Sequence, residues 1–296
     1  MMIGFRARSL RLATAAAAAA ASFSVAGLPA LASAANPLLP GEYHASPSPA
    51  EVAANCPVAD PEIVQCVHSA VYGGAVTLNK QSVPISVPGN TLDFGVRYNS
   101  ELDETIAVMG TKSPLNGPGE PVPGGLFGLT GRPSTTTVTA SLEYAGPLVP
   151  LQDFGVPGEV TFNFNNVSNR TGAAVIMPVK IHLRNQFLGN SCYIGTNAEP
   201  IVMRLTTGVT APPPPNKPIV GSPGFVEFQH GASVIRAVGA KLVDNSFPVP
   251  AASGCGAMFD QSIDLKLGLP SPAGRNAFVF LNNVWLSGGE FARGEI

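Results

Sequence analysis

The chain has 296 residues, with 17 Lys or Arg against 19 Asp or Glu and a formal net charge of −2. Only 12% of residues are charged, about half the usual share, and no basic block is present, so there is no electrostatic footprint for nucleic acid. A hydrophobic share of 45% is ample for a core, and 32 glycines and 29 prolines without a fixed period indicate many turns between short elements, not collagen or a disordered tail.

Residues 1–34 read as a secretory signal peptide. Arg6, Arg8 and Arg11 form a basic region, an uncharged alanine-rich run follows, and residues 30–34 offer small-x-small cleavage sites, with cleavage expected after Ala34. The run breaks at Gly27 and Pro29, short of the ~20 apolar residues of a spanning helix. No paired arginine marks the twin-arginine route. No later stretch is long and apolar enough to span a bilayer, so no membrane span is expected after cleavage. Residues 35–55, with Pro37, Pro40, Pro47 and Pro49, read as an extended lead-in, and residues 56–296 as a single β domain.

Four cysteines fit an oxidising compartment. Three pairings are possible. The preferred one joins Cys56 to Cys66, closing a small loop around Pro57 and Pro61, and Cys192 to Cys255, tying two distant segments together. The spacings are not those of a zinc site.

Strands are expected over residues 72–78, 90–97 and 105–109, followed by an irregular loop over 110–125 that is rich in Gly and Pro. Residues 135–144 and 159–164 alternate apolar and polar positions cleanly, which marks antiparallel sheet with one wet face. The chain is organised around residues 178–208. Val179, Ile181 and Leu183 alternate with Lys180, His182 and Arg184; after a loop holding Cys192, Ile201, Met203 and Leu205 alternate with Val202, Arg204 and Thr206. The polyproline run at 211–218 is expected to cross the edge or end of a sandwich as a stiff spacer.

Further strands are expected over 225–229, 233–238 and 241–243. From Ser253, a possible cap, the period changes to four. Phe259, Ile263 and Leu267 define a short amphipathic helix ended by Gly268 and Pro270, with Asp260 and Asp264 on another face. Residues 277–286 close the chain as a strand containing Trp285. The fold class is therefore all-β: an antiparallel β-sandwich or distorted barrel with one short helix near the C-terminus.

Residues 189–195 (GNSCYIG), 205–218 (LTTGVTAPPPPNKP) and 267–274 (LGLPSPAG) resemble a group of exported proteins from high-GC Gram-positive bacteria to which no activity is assigned. The resemblance covers the second half of the chain and implies export by such a bacterium. It transfers no catalytic residue, and it adds weight to a Cys192–Cys255 bridge.

No nucleophile elbow, zinc-protease helix, phosphate loop or dinucleotide fingerprint is present. His44, His68, His182 and His230 are each read first as ordinary surface or hydrogen-bonded histidines, and as triad bases only if distant residues converge on them. Glu101, Asp103 and Glu104 could offer oxygens to Ca2+, but a solvated loop is the simpler reading. Asp260 and Asp264 read as the wet face of the helix before they read as an acid–base pair. Asn166 and Asn169 head glycosylation sequons expected to be unmodified. No catalytic, cofactor or metal residue is assigned, and no cofactor is expected.

Three functions remain. The first is a non-catalytic secreted or cell-wall-associated β protein. The second is a module binding an apolar ligand or a cell-wall or extracellular glycan, with Tyr144, Phe162, Phe164, Tyr193 and Trp285 as an aromatic platform. The third is an exported hydrolase that uses His182 or His230 near a carboxylate and a hydroxyl.

Overall fold

A computed structural model of the chain describes residues 53, 55–86, 90–99, 104–110, 115–128, 137–145, 175–222, 224–229, 231 and 233–295. All of them fall in one compact unit, Pro40–Ile296. The expected signal peptide, most of the lead-in and the strand at 159–164 lie outside the described residues.

Antiparallel strands in two sheets make up the fold. The first sheet has eight strands among the described residues. Its spine runs β11 (Phe225–Gln229), β12 (Val234–Asp244), β14 (Asn276–Gly288), β1 (Ile63–Leu78), β3 (Asn90–Asn99) and β4 (Glu104–Val108). The short β2 (Gln81–Pro84) joins β1, and β5 (Leu115–Asn116) joins β3. The second sheet has six strands among the described residues. They run β13 (Ala252–Ser253), β9 (Tyr193–Ile194), β8 (Val175–Arg184), β7 (Thr139–Tyr144) and β6 (Glu120–Pro121), with β10 (Ile201–Leu205) also paired to β8.

Alternation decides which side chains meet between the sheets. On β8, Met177, Val179, Ile181 and Leu183 are buried in the main core, and Ile201, Met203 and Leu205 of β10 join them. Leu92, Phe94 and Val96 of β3 and Phe278 and Phe280 of β14 face them from the other sheet. Each such side chain contributes roughly 1.5–3 kcal/mol by leaving water.

One side of this sandwich is stitched by backbone. Thr206, just past β10, exchanges two hydrogen bonds of 2.9 Å with Val243 of β12. On the opposite side the link is a side chain. Glu120 of β6 accepts from Ser86 N–H at 2.9 Å, Ser86 Oγ at 3.1 Å and Asn90 Nδ2 at 2.9 Å.

Both preferred disulfides are present. Cys56–Cys66 packs with Ile63 and Ala292, while Cys192–Cys255 lies in the main core. The helix at the C-terminal end of the sandwich, α2 (Ala257–Leu267), follows a four-residue turn of helix, α1 (Gly125–Gly128). Ile263 and Leu267 are buried and Phe259 packs against the core, as their spacing implies, whereas Met258 is exposed. Gly268 ends the helix in the left-handed region, φ 73°.

Several details depart from the sequence reading. Ser253 is not the cap: Gly256 is, without a side-chain cap bond. Strand β1 begins at Ile63, well before residue 72, and the loop at 110–125 holds β5, β6 and the start of α1. Residues 233–238 and 241–243 form one strand, β12, kinked by a bulge between Ala237 and Ala240. A last short helix, α3 (Gly289–Arg293), packs on β1. The polyproline run is an excursion closed at its base by a Val209–Val220 bridge. Asn216 pins it to the sheet end, donating from Nδ2 to Asn245 O at 3.0 Å and Asn276 O at 2.9 Å.

Candidate functional site: a cavity between the sheets

Two histidines meet carboxylates. His68 Nδ1 and Asp93 Oδ1 are 2.5 Å apart across β1 and β3, and Thr91 Oγ1 donates to the other Asp93 oxygen at 2.7 Å. On the outer face of the second sheet, His182 Nδ1 lies 2.7 Å from Glu143 Oε1, and Arg184 Nη2 donates to the same oxygen at 3.0 Å. Tyr193 stacks on His182 with ring centroids 4.4 Å apart, and Lys180 Nζ lies 4.5 Å from the Tyr193 centroid. Burial, and then the negative Glu143 carboxylate, push the Tyr193 phenol above its ordinary pKa.

Ser141 pairs with His182 across the strands, yet its Oγ has no hydrogen-bond partner. Among the described residues, the His182 pair therefore holds a carboxylate without a bonded hydroxyl of the kind a nucleophilic triad uses. His44 and His230 lie outside the described residues, as do Glu101 and Asp103, the sequons, Phe162 and Phe164. Among the described residues, no three His, Cys, Asp or Glu are grouped to hold a metal ion, and no helix is long and apolar enough to cross a membrane.

Asp260 and Asp264 are half-buried, and each carboxylate holds a backbone N–H. Asp260 Oδ1 accepts Cys255 N–H at 2.8 Å, and Asp264 Oδ1 accepts Ala252 N–H at 2.7 Å. They bolt α2 to the chain around the disulfide. Burial raises the Asp264 pKa, the bond from Ala252 opposes that rise, and Asp260 adds to it.

Of the expected aromatic platform, the described members Tyr144, Tyr193 and Trp285 do not share one open face. Trp285 is 3% exposed and packs with Ala70, Val234 and Phe291, while Tyr144 is half-buried against the core. The ring of Tyr193 is already in contact with His182 and Lys180.

What the fold does build is a cavity of about 110 Å3 between the sheets. Val71, Val76, Leu78 and Phe280 line it from the first sheet, and Ala140, Leu142, Met177, Ile181 and Leu183 from the second. Polar side chains are few: Gln81, Asn90, Thr91 and Glu120 on the side of β2, β3 and β6, Ser141 on β7, and Ser69 and Asn282 on β1 and β14.

Strand irregularities coincide with that last pair. The register of β14 against β1 shifts between Val71 and Gly73, and its register against β12 shifts between Ala237 and Ala240. Asn282 is opposite Val71 on one side and Ala240 on the other. Both neighbours of β14 thus bulge at the level of Asn282, where bulges re-aim side chains. Gly74 makes the first bulge feasible: its φ is 120° and a Cβ would meet Val279 O. Asn283 Oδ1 accepts the Gly239 N–H at 2.9 Å and so satisfies the second bulge.

No family model, curated protein or solved structure matches the chain. The cavity itself is the guide to function.

Asn282, Ser69 and the cavity wall did not figure among the sequence candidates. One signal was present: along β14 the inward row reads Phe278, Phe280, Asn282, Val284, Leu286, and a single amide interrupts an otherwise apolar series.

Proposed function

We propose that this protein is an exported, non-catalytic module that holds a small apolar ligand between its two sheets. The reading rests on the cavity. A well-packed core has few voids larger than a water molecule, and a cavity of about 110 Å3 costs about 2–3 kcal/mol relative to a filled one. Its volume is comparable to the ~150 Å3 engineered cavity that takes up benzene. That size suits a ring or the end of an acyl chain. The lining is apolar with a few polar groups, the usual composition of a small-molecule site. Burial of Trp285 and Tyr144 favours this ligand over a glycan on an aromatic platform.

Export is supported by the basic-apolar-small pattern of residues 1–34 and by two disulfides. The resemblance of residues 189–195, 205–218 and 267–274 to exported proteins of high-GC Gram-positive bacteria supports a place in the envelope or outside such a cell.

The test uses toluene as probe and 13C-labelled methionine methyls as reporters. Met177 lines the cavity and Met258 is exposed. Titration should shift the Met177 resonance saturably and leave Met258 in place. A Met177 signal indifferent to toluene at saturation in water overturns the reading.

A further inference from the structure

Four segments meet at one end of the sandwich. Asn79, just past β1, donates from its backbone N–H to Asn276 Oδ1 at 3.1 Å and from Nδ2 to Gly268 O at 2.9 Å. Lys80 N–H donates to Leu267 O at 3.4 Å, and Asn216 N–H donates to Gly274 O at 3.0 Å. These bonds gather the β1–β2 turn, the end of α2, the turn before β14 and the polyproline excursion into one surface. Each segment brings a cation: Lys80, Lys266, Arg275 and Lys217. All four are exposed, and none of them is in an ion pair. The carboxylates carried by α2 and the end of β12 are engaged: Asp260 and Asp264 each accept a backbone N–H, and Asp244, 1% exposed, accepts from Ser246 and from Arg204 N–H. Beside Ile63, at the opposite end of β1, the cations are paired instead, Arg97 with Glu62 and Arg293 with Glu295.

Apolar side chains stand bare beside these cations. Leu265 precedes Lys266, and Met258 lies two turns earlier on the same face of α2. Each is 79% exposed. A helix with apolar side chains and lysine at its exposed surface is what an anionic bilayer takes up: the cations are drawn to the headgroups and the apolar side chains reach the acyl boundary. A soluble polyanion would use the cations and leave Met258 and Leu265 idle. We propose that this end of the sandwich docks on an anionic lipid surface, with Lys80, Lys217, Lys266 and Arg275 at the headgroups and Met258 and Leu265 below them. The same end borders the cavity. Leu78 and Gln81, on either side of the β1–β2 turn, and Leu267, the last residue of α2, all line it. Docking thus holds the cavity against the bilayer, but it goes beyond the ligand reading and does not depend on it.

The test is sedimentation of the disulfide-bonded chain, collected after export, with vesicles of phosphatidylglycerol and phosphatidylcholine, compared with vesicles of phosphatidylcholine alone. The chain should sediment with the anionic vesicles and be released as salt rises. Lys80→Gln and Lys266→Gln should each weaken the partition by about fivefold. Leu265→Gln should weaken it as well, with the charge unchanged. All three side chains are exposed, so the fold is not at stake. Equal binding to both kinds of vesicle, no binding to either, or charge variants that bind like the parent overturns the proposal. Charge variants that weaken while Leu265→Gln and Met258→Gln bind as before assign this end to a soluble polyanion, and lipid docking falls. The toluene response of Met177 reads the cavity separately, so either reading can fail without the other.

Discussion

Asn282 Nδ2 and Ser69 Oγ meet at 2.8 Å across β14 and β1, 213 residues apart in the chain. The bond is buried on both sides, so its two partners stand or fall together. Asn282→Leu alone strands the Ser69 hydroxyl and should lower the unfolding free energy by about 1–3 kcal/mol. Adding Ser69→Ala should recover most of that loss. Urea titration of the parent, the single and the double variant reads the coupling directly; equal losses in the single and double variants would refute it.

Filling the cavity should stabilise the fold and close the site in one step. Ala140 lines the space from β7 opposite Leu183 of β8. Ala140→Leu is expected to add about 0.5–2 kcal/mol and to abolish the toluene response of Met177. Leu183→Ala enlarges the space and should cost about 2–5 kcal/mol. A filled variant that still binds toluene as before would show that the probe sits elsewhere.

Asp264 links stability to pH. Its folded pKa is raised above the ordinary carboxylate value, chiefly by burial, so the folded chain holds this proton more tightly than the unfolded one. Its contribution is greatest below the ordinary value of 3.8 and is lost as pH rises through the folded pKa. Asp264→Asn keeps an oxygen for Ala252 N–H and removes the titration. The melting temperature of D264N minus that of the parent should therefore grow with pH across the window beginning near 3.8. A flat difference would remove Asp264 from the account.

The Tyr193 phenol is held up by burial first and Glu143 second. Glu143→Gln should lower its pKa toward the ordinary value without reaching it. Absorbance titration near the phenolate band, taken as parent minus variant, isolates Tyr193 from the other four of the five tyrosines. The accompanying stability loss should stay near 1 kcal/mol, since the Glu143 ion pairs are partly solvated.

The two disulfides close loops of different length, 63 and 10 residues in separation. Chain entropy assigns about 4 kcal/mol to Cys192–Cys255 and about 3 to Cys56–Cys66. Replacing each pair by alanine should therefore destabilise in that order, measured by thermal unfolding. The reverse order would mean that local packing around Cys56 outweighs loop closure.

Much of the architecture was legible because alternation is a local property. Val179, Ile181 and Leu183 announce their buried face within seven residues, and β11 begins and ends where its pattern does. The kinks were hidden because a bulge is a mismatch between two strands: Val71 and Gly73 are irregular only relative to Asn282 and Leu281. The cavity was hidden for the same reason at larger scale, since its wall is drawn from most of the strands and α2. Asp260 and Asp264 showed their helical spacing but not the backbone amides of Cys255 and Ala252 that they hold.

The two sides of the sandwich are fastened in different currencies. Where Thr206 meets Val243 the joint is main chain, and Asp244 Oδ2 reinforces it by accepting the Arg204 N–H at 2.7 Å. Where Glu120 holds Ser86 and Asn90, the joint is one carboxylate, 6% exposed. The sheets are the covers of a book, bound along β10 and β12 and closed by a clasp at β6. The space between its pages touches both bindings: Leu205 and Leu242 line it toward the spine, and Glu120 of the clasp lines it at the other margin.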